Sequence, residues 1–226
     1  MNRSVPPVWQ TPETPPALSA AEIHIWHAGI GAQDCHSEWL GAAERERQSA
    51  VRDPARQRQF CAMRCILRRL LGAYLGCEPA EVDIRLEPDG KPYLPAGGVQ
   101  FNLSHSHGRA LLAFALDRPV GVDLEIQRPM KNIPQIAQRL FSGDELSELR
   151  RQGYAVGLFL EYWTAYEARQ KCLGRGIFGG RSVEAGTHTR AIPIEDAQAC
   201  VAWTGNGPPP HLRYFTYPPD APLSRL

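Results

Sequence analysis

No stretch of this chain approaches the roughly 20 consecutive apolar residues that a helix needs to cross a bilayer. Its opening residues, Met1-Asn2-Arg3-Ser4-Val5-Pro6-Pro7, lack the apolar core of a secretory signal. The expectation is a cytoplasmic protein with no membrane partner. Net charge is close to absent as well. It is +1, whereas a general nucleic-acid binder carries a marked basic excess. Nucleic acid is therefore not an expected partner. Six cysteines occur, none in a Cys-x-x-Cys pair, so zinc is not expected either. Cys35, Cys61, Cys65, Cys77, Cys172 and Cys200 read as reduced thiols. Cys61 and Cys65 lie four apart on one helix face, as small core residues do. No internal repeat is visible.

What is present is ordinary in bulk and uneven in detail. The 226 residues are 43% hydrophobic and 22% charged, enough for one large domain or two small lobes with real cores. Positive charge is concentrated: Arg45, Arg47, Arg52, Arg56, Arg58, Arg64, Arg68 and Arg69 fall in one short segment. Such a patch suits a small polyanion. Within it Phe60, Met63, Leu67, Leu70, Leu71 and Tyr74 trace an apolar stripe at helical spacing, so the run from Ser37 to Gly76 reads as helical. Arg45 and Arg47, beside Glu44 and Glu46, read as a solvated face with charge pairs.

The chain order suggests α+β architecture. Residues 1–19 are proline-rich and read as a flexible lead-in. Ala21 to Ala28 alternates as a half-buried strand does, which puts His24 and His27 on opposite faces in structural roles. Val82 to Leu86, Lys91 to Leu94, Val99 to Leu103, Ala110 to Leu116 and Val120 to Ile126 read as strands, with Pro88-Asp89-Gly90 and Asp117-Arg118-Pro119 as turns. Ser142 and Glu145 match a capping box, and a longer helix from about Tyr154 to Leu173 ends at Gly174. Gly174, Gly176, Gly179 and Gly180 follow that helix, so its dipole points the wrong way for a phosphate loop. Cys200 to Thr204 and Leu212 to Tyr217 complete the strands. Strand, helices, strands occurs twice, giving lobes at 20–118 and 119–217, joined near Arg118 to Gly121, and a tail at 218–226.

Two acidic motifs carry the chemistry. In Gly121-Val122-Asp123-Leu124-Glu125 the strand alternation points Asp123 and Glu125 to one face. In Trp163-Thr164-Ala165-Tyr166-Glu167-Ala168-Arg169-Gln170-Lys171, Glu167 and Lys171 share a helix face. Packed together they would gather three carboxylates beside a lysine. Like charges about 4 Å apart repel by roughly 1–4 kcal/mol outside the dry interior, so the cluster calls for a cation. All-oxygen ligands favour Mg²⁺, which recruits substrate phosphates. Phe101-Asn102-Leu103-Ser104-His105-Ser106-His107-Gly108 adds small donors able to grip phosphate oxygens, although a turn rich in Ser and His that caps two strands fits it equally well.

Together with Gly90-Lys91-Pro92-Tyr93 and the arginine-rich helix from Arg58 to Leu71, these motifs resemble the 4′-phosphopantetheinyl transferases of the surfactin-synthetase-activating type. The resemblance spans about positions 20 to 185. It implies two similar α/β lobes related by a pseudo-twofold axis, with coenzyme A in the cleft between them. It implies transfer of 4′-phosphopantetheine to a serine of an acyl or peptidyl carrier protein, with release of 3′,5′-ADP, by a monomer. Asp123, Glu125 and Glu167 would hold Mg²⁺, and Glu167 and Lys171 would be catalytic. Arg58, Arg64, Lys91, Ser104, His105 and Lys171 would bind the coenzyme, with Arg58 and Arg64 at its 3′-phosphate and Lys91 near the other phosphates. The region from Arg128 to Phe141 would border the carrier. One position departs from the family pattern: Tyr166 stands where a lysine is expected, which leaves a coenzyme-binding homologue without full activity as the alternative. A Mg²⁺-dependent diphosphate hydrolase is a third reading.

Overall fold

A computed structural model describes residues 7–31, 35–88, 90–175 and 185–218. The strands follow from period-two runs of branched and aromatic residues. They are β1 (Glu22–Gly29), β2 (Arg85–Leu86), β3 (Pro92–Tyr93), β4 (Val99–Ser106), β5 (Arg109–Leu116), β6 (Val120–Ile126), β7 (Thr187–Ala191), β8 (Ala197–Thr204) and β9 (His211–Thr216). The α-helices are α1 (Ala42–Ser49), α2 (Pro54–Leu75), α3 (Ile133–Leu140), α4 (Gly143–Arg151) and α5 (Val156–Cys172). The fold is mixed α+β, as expected.

Two sheets face each other, and each carries a helix on its outer side. The first has the order β4-β5-β1-β9, the second β6-β8-β7, and β2 and β3 form a separate hairpin. Alternation along each strand divides its side chains between two cores. Trp26, Leu112 and Phe114 meet Ile66, Leu67, Leu70 and Leu71 of α2 on one side of the first sheet. Ile23, Ile25, Leu111 and Ala113 meet Val122, Leu124 and Val201 of the second sheet on the other. Ala168 and Cys172 of α5 cover the far face against Cys200 and Ala202.

The helical run expected over 37–76 is broken. Pro54 has no amide to donate and holds Asp53 extended, so α2 restarts there. The Asp53 carboxylate accepts from Ala55 N at 2.8 Å and Arg56 N at 3.2 Å, and Gly76 ends the helix at φ 69°. Ser142 sits at the N-cap of α4 but makes no side-chain cap bond. Gly143 beside it has φ 56°, which breaks the entry geometry that a capping box requires.

Three further expectations change. Residues 7–19 include no free lead-in at Gln10, which bonds to β9 through Tyr214 O at 3.0 Å and Thr216 N at 2.7 Å, while Trp9 packs on His27 and Tyr214. The six thiols are not all reduced: Cys35 and Cys61 form a disulfide, their Cα atoms 5.2 Å apart. Cys65, Cys77, Cys172 and Cys200 are free. The strand β9 returns to the first sheet, parallel to β1, although it follows the second sheet in the chain. His24 is structural as expected. It is fully buried, and the Tyr74 hydroxyl, which accepts from Trp26 Nε1 at 2.8 Å, lies 2.9 Å from its Nδ1. Among the described residues no helix is long and apolar enough to cross a membrane. The glycines expected at 176–180 and the tail from 219 lie outside the described residues.

One contact sets the position of α5. A Cβ on Gly121 would fall on the backbone of Ala168 and Cys172, so helix and strand touch backbone to backbone only because position 121 has no side chain. Gly121→Ala is expected to lower stability by about 1–3 kcal/mol, the usual range for overpacking. A chemical-denaturation midpoint equal to that of the unaltered protein would contradict this packing.

Candidate functional site

The strands β4 and β6 run side by side where the two sheets meet, joined by side chains in place of a backbone ladder. Asn102, Ser104 and Ser106 occupy alternate positions of β4 and so share a face. Asn102 Oδ1 accepts from Val122 N at 3.0 Å. Ser104 donates to Asp123 Oδ1 at 2.8 Å, and Ser106 donates to Glu125 Oε2 at 3.1 Å. The Ser-rich segment is therefore not a turn that caps two strands. It is a strand whose hydroxyls orient the two carboxylates of the next.

Helix α5 adds the remaining charges. Lys171 Nζ reaches Asp123 Oδ1 at 2.7 Å, Ser104 Oγ at 3.1 Å and Val122 O at 3.3 Å. Those three bonds use all the donors of an ammonium group. Glu167 lies on the same face one turn earlier. Asp123 is 4% exposed and Glu167 5%. Asp123 Oδ2 and Glu167 Oε1 are buried with no hydrogen-bond partner, a state that buried carboxylates rarely keep without a ligand. Burial, and then the negative charge of Asp123, push the Glu167 carboxyl up to about 7; Lys171 opposes and Glu125 adds to the rise. Glu125 is held more loosely at the rim, where Oε2 also accepts from Arg128 at 3.2 Å.

These groups line one cleft of about 490 Å³, which also admits Ser104, His105, Arg47, Phe60, Met63, Arg64 and Trp163. Arg64 is 6% exposed, and its Nε and Nη1 have no hydrogen-bond acceptor; Glu44 Oε1 is 3.7 Å from Nε. Partial desolvation, followed by the charge of Lys171, holds the His105 imidazole below its ordinary pKa. Carboxylates and guanidinium groups thus line one space large enough for a diphosphate.

The sequence-derived residues divide accordingly. Asp123, Glu125, Glu167, Lys171, Ser104, His105 and Arg64 come together in the cleft. Arg58 is exposed on α2 and lies outside that lining. Lys91 donates to Cys172 O at 3.2 Å and lines a neighbouring pocket of about 430 Å³. Tyr166 is 7% exposed and packs edge-on to Phe141, within the apolar cluster of α3, α4 and α5. A buried aromatic core residue explains its apolar identity, and the cleft lining does not include it. Arg47 is the residue that sequence reasoning missed. Glu44, expected in solvent beside it, is instead buried and accepts from Arg68 Nε at 2.7 Å. The signal was three-residue spacing, which makes Glu44 and Arg47 neighbours on the surface of α1.

Among the described residues no group of three or more His, Cys, Asp and Glu is drawn together closely enough to hold a metal ion. The donor chemistry nevertheless fits a hard divalent cation. Two buried oxygens lack partners, and burial raises the Glu167 carboxyl to about 7.

Comparison with known proteins identifies the family. The 4′-phosphopantetheinyl transferase superfamily matches residues 119–219. The 4′-phosphopantetheinyl transferase HetI of Nostoc sp. is 35% identical over 198 residues, covering 82% of this chain and 84% of HetI. A 4′-phosphopantetheinyl transferase of Bacillus subtilis is 31% identical over 115 residues, 50% of each chain. AcpT of Escherichia coli, also named a 4′-phosphopantetheinyl transferase, is 30% identical over 146 residues, 63% of this chain and 71% of its own. The chain belongs to the 4′-phosphopantetheinyl transferase family.

A pH dependence follows from Glu167. Its carboxyl titrates near 4.5 when unperturbed and near 7 in the fold, so between those values the folded state holds the extra proton. Without divalent cations, stability should fall as pH rises through that window. Glu167→Gln should flatten the fall, and Mg²⁺ should restore the melting temperature of the unaltered protein above neutrality but not that of the variant. A melting temperature that rises across the same window would contradict the assignment.

Proposed function

We propose that this chain transfers the 4′-phosphopantetheine arm of coenzyme A to a serine of an acyl or peptidyl carrier protein, with release of 3′,5′-ADP, as a member of the surfactin-synthetase-activating type. The observation that carries the reading is the pairing, across one cleft, of buried carboxylate oxygens without partners and buried guanidinium donors without acceptors. Family membership narrows the anion to coenzyme A.

The chain's own residues then take distinct parts. Arg64 and Arg47 meet the coenzyme's 3′-phosphate end, since both line the cleft from α2 and α1 while the carboxylates line it from β6 and α5. Lys171 and His105 border the diphosphate, with Ser104 holding Asp123 and Lys171 in register. Asp123, Glu125 and Glu167 would hold Mg²⁺, which supplies positive charge to the diphosphate oxygens when bound. The serine oxygen forms the new bond to phosphorus, the bond to the 3′,5′-ADP oxygen breaks, and the hydroxyl proton passes to Glu167. The carrier approaches past Arg128, where a groove of about 680 Å³ opens beside Glu125 with Arg56, His107 and Phe60 on its walls.

The two-lobe arrangement belongs to the same proposal. The orders β4-β5-β1 and β6-β8-β7 each join an outer strand, a middle strand and the strand that precedes the main helix, which supports lobes at 20–118 and 119–217 around a pseudo-twofold axis in a monomer. Strand β9 is the exception, since it crosses to the first sheet. The alternative of an inactive binding homologue loses its basis, because Tyr166 is a core residue and removes nothing from the cleft lining.

The test is to incubate the protein with coenzyme A, Mg²⁺ and apo carrier domains and to weigh the carriers. A gain of one phosphopantetheine is expected, and Glu167→Gln should lower the rate roughly 100-fold or more, in the range for loss of a general base. Carriers of unchanged mass across several classes would reject the reading. Release of 3′,5′-ADP without any carrier would point to the hydrolase instead.

A further inference from the structure

Helix α1 brings Arg47 to the cleft, yet it has no apolar face with which to dock. Glu44 is its only buried residue. A helix that is polar all round is not held by burial of a hydrophobic stripe. The bonds that join it to α2 are polar. Glu44 Oε2 accepts from Arg68 Nε at 2.7 Å, and Gln48 Nε2 reaches Gln57 O at 3.5 Å. Glu44 Oε1, 3.7 Å from Arg64 Nε, makes no hydrogen bond.

A covalent link supplies what burial does not. Cys35 and Cys61 form a disulfide across a separation of 26 residues, and the ring it closes contains all of α1. The segment 35–41, which leads into α1, lies as a strap on α2. Leu40 is 2% exposed and packs with Cys61 and Cys65, with Trp39 beside them. His36 N donates to Cys65 Sγ at 3.3 Å, and that thiol donates to His36 O at 3.2 Å. Along α2, Cys61, Arg64, Cys65 and Arg68 are spaced by three and four, so the anchors of the strap and the guanidinium groups near Glu44 share one side of the helix. Closing a loop covalently removes freedom that its ends would otherwise have. With the disulfide open, α1 keeps few bonds that hold Arg47 and Glu44 near Arg64. A unit with so little buried apolar contact opens readily.

We propose that the Cys35–Cys61 disulfide is a redox switch on the phosphate-binding wall: closed, it holds α1 with Arg47 and Glu44 beside Arg64, and reduced, it releases α1 and weakens binding of the coenzyme's 3′-phosphate end. The identity of that anion rests on the proposed transfer reaction; the release of α1 does not. The reductant is a dithiol. Its thiolate attacks Cys35 Sγ, because Cys35 is partly exposed while Cys61 is 0% exposed. A mixed disulfide forms, and Cys61 leaves as a thiolate that takes up a proton. The second thiol of the reductant then displaces Cys35 and closes the reductant's own disulfide, so two electrons and two protons pass to the protein. Burial pushes the neighbouring Cys65 thiol up to about 11. It therefore stays protonated near neutrality and does not compete for either sulfur.

The full chain is prepared in two states, with oxidised glutathione and with dithiothreitol, and compared with Cys35→Ser and Cys77→Ser. Alkylation in denaturant should label four cysteines in the first state (Cys65, Cys77, Cys172 and Cys200) and all six in the second. Calorimetry should show 3′,5′-ADP bound about 10-fold more weakly after reduction, roughly the loss of one charge-assisted hydrogen bond. Binding of 5′-ADP, which lacks the 3′-phosphate, should change less than about twofold. Amide hydrogen exchange across residues 42–49 should quicken in the same state. KM for coenzyme A should rise with kcat nearly unchanged, because Asp123, Glu167 and Lys171 stand on β6 and α5. Cys35→Ser should match the reduced protein under both conditions, and Cys77→Ser should respond as the unaltered protein does. Six labelled cysteines after oxidised glutathione would overturn the proposal. Equal 3′,5′-ADP affinity in the two states, or a Cys35→Ser variant that still responds to dithiothreitol, would do the same. If neither state binds 3′,5′-ADP or modifies a carrier, the transfer reading falls, while exchange across 42–49 still decides whether the disulfide holds α1.

Discussion

Helix α5 lies directly on the backbone of β6 at Gly121, and the charges of the cleft take their places from that approach. A side chain at position 121 would collide with the backbone of Ala168 and Cys172, so the helix would ride outward. Lys171 would then lose its reach to Asp123, Ser104 and the Val122 carbonyl together. Buried pairs of this kind contribute little net stability by themselves, because desolvation offsets most of the attraction. Their value here is geometric: one ammonium fixes the rotamers of a carboxylate and a hydroxyl from two strands of different sheets. The apolar cores on either side supply the stability that holds these polar groups together.

The seam between β4 and β6 explains why the site lies where it does. Inside a continuous sheet, backbone groups satisfy one another and leave nothing to bind a ligand. Where β4 meets β6, Asn102, Ser104 and Ser106 replace part of that ladder with side-chain bonds. Such a join can orient carboxylates while leaving some of their oxygens open. Asp123 Oδ2 and Glu167 Oε1 are those open positions. Unsatisfied buried acceptors cost about 1–3 kcal/mol each, so the fold keeps them at an expense that a bound cation would reverse. Local violation of polar satisfaction is the pattern expected of a functional site rather than of a core.

Much of this was legible from periodicity. The alternation in β6 placed Asp123 and Glu125 on one face, and the four-residue spacing put Glu167 beside Lys171; both hold in the fold. The stripe on α2 and the glycine stop of α5 were equally plain, because each depends on neighbours within a turn or two. What escaped depends on distant meetings. No spacing rule brings Cys35 to Cys61, since the loop between them folds back before α2 begins. The lysine at 91 points to a helix end 81 residues later. Tyr166 occupies a position where charge was expected, and only its packing against Phe141 reveals that this side of α5 faces apolar neighbours. The return of β9 to the first sheet is likewise a choice between two available edges, which a short alternating strand does not encode.

The arginines of α2 show how structural and functional cations separate on one helix. Arg64 and Arg68 are one turn apart, both buried, and both near Glu44. Arg68 is saturated: it donates to Glu44 at 2.7 Å and to the carbonyls of Pro79 and Val82 at 3.0 Å each. It ties α1, α2 and the segment after α2 into one unit, and it has little left to offer a ligand. Arg64 has the same counter-charge at 3.7 Å, too far for a hydrogen bond, and keeps two nitrogens without acceptors while lining the cleft. Burial pulls its pKa down despite Glu44, so a guanidinium is being held in a place that favours it only weakly. An anion entering from the cleft would satisfy those donors and relieve that strain at once. Glu44 therefore serves both arginines, anchoring one and leaving the other partly unpaired, and the position of α1 decides how much binding capacity Arg64 retains.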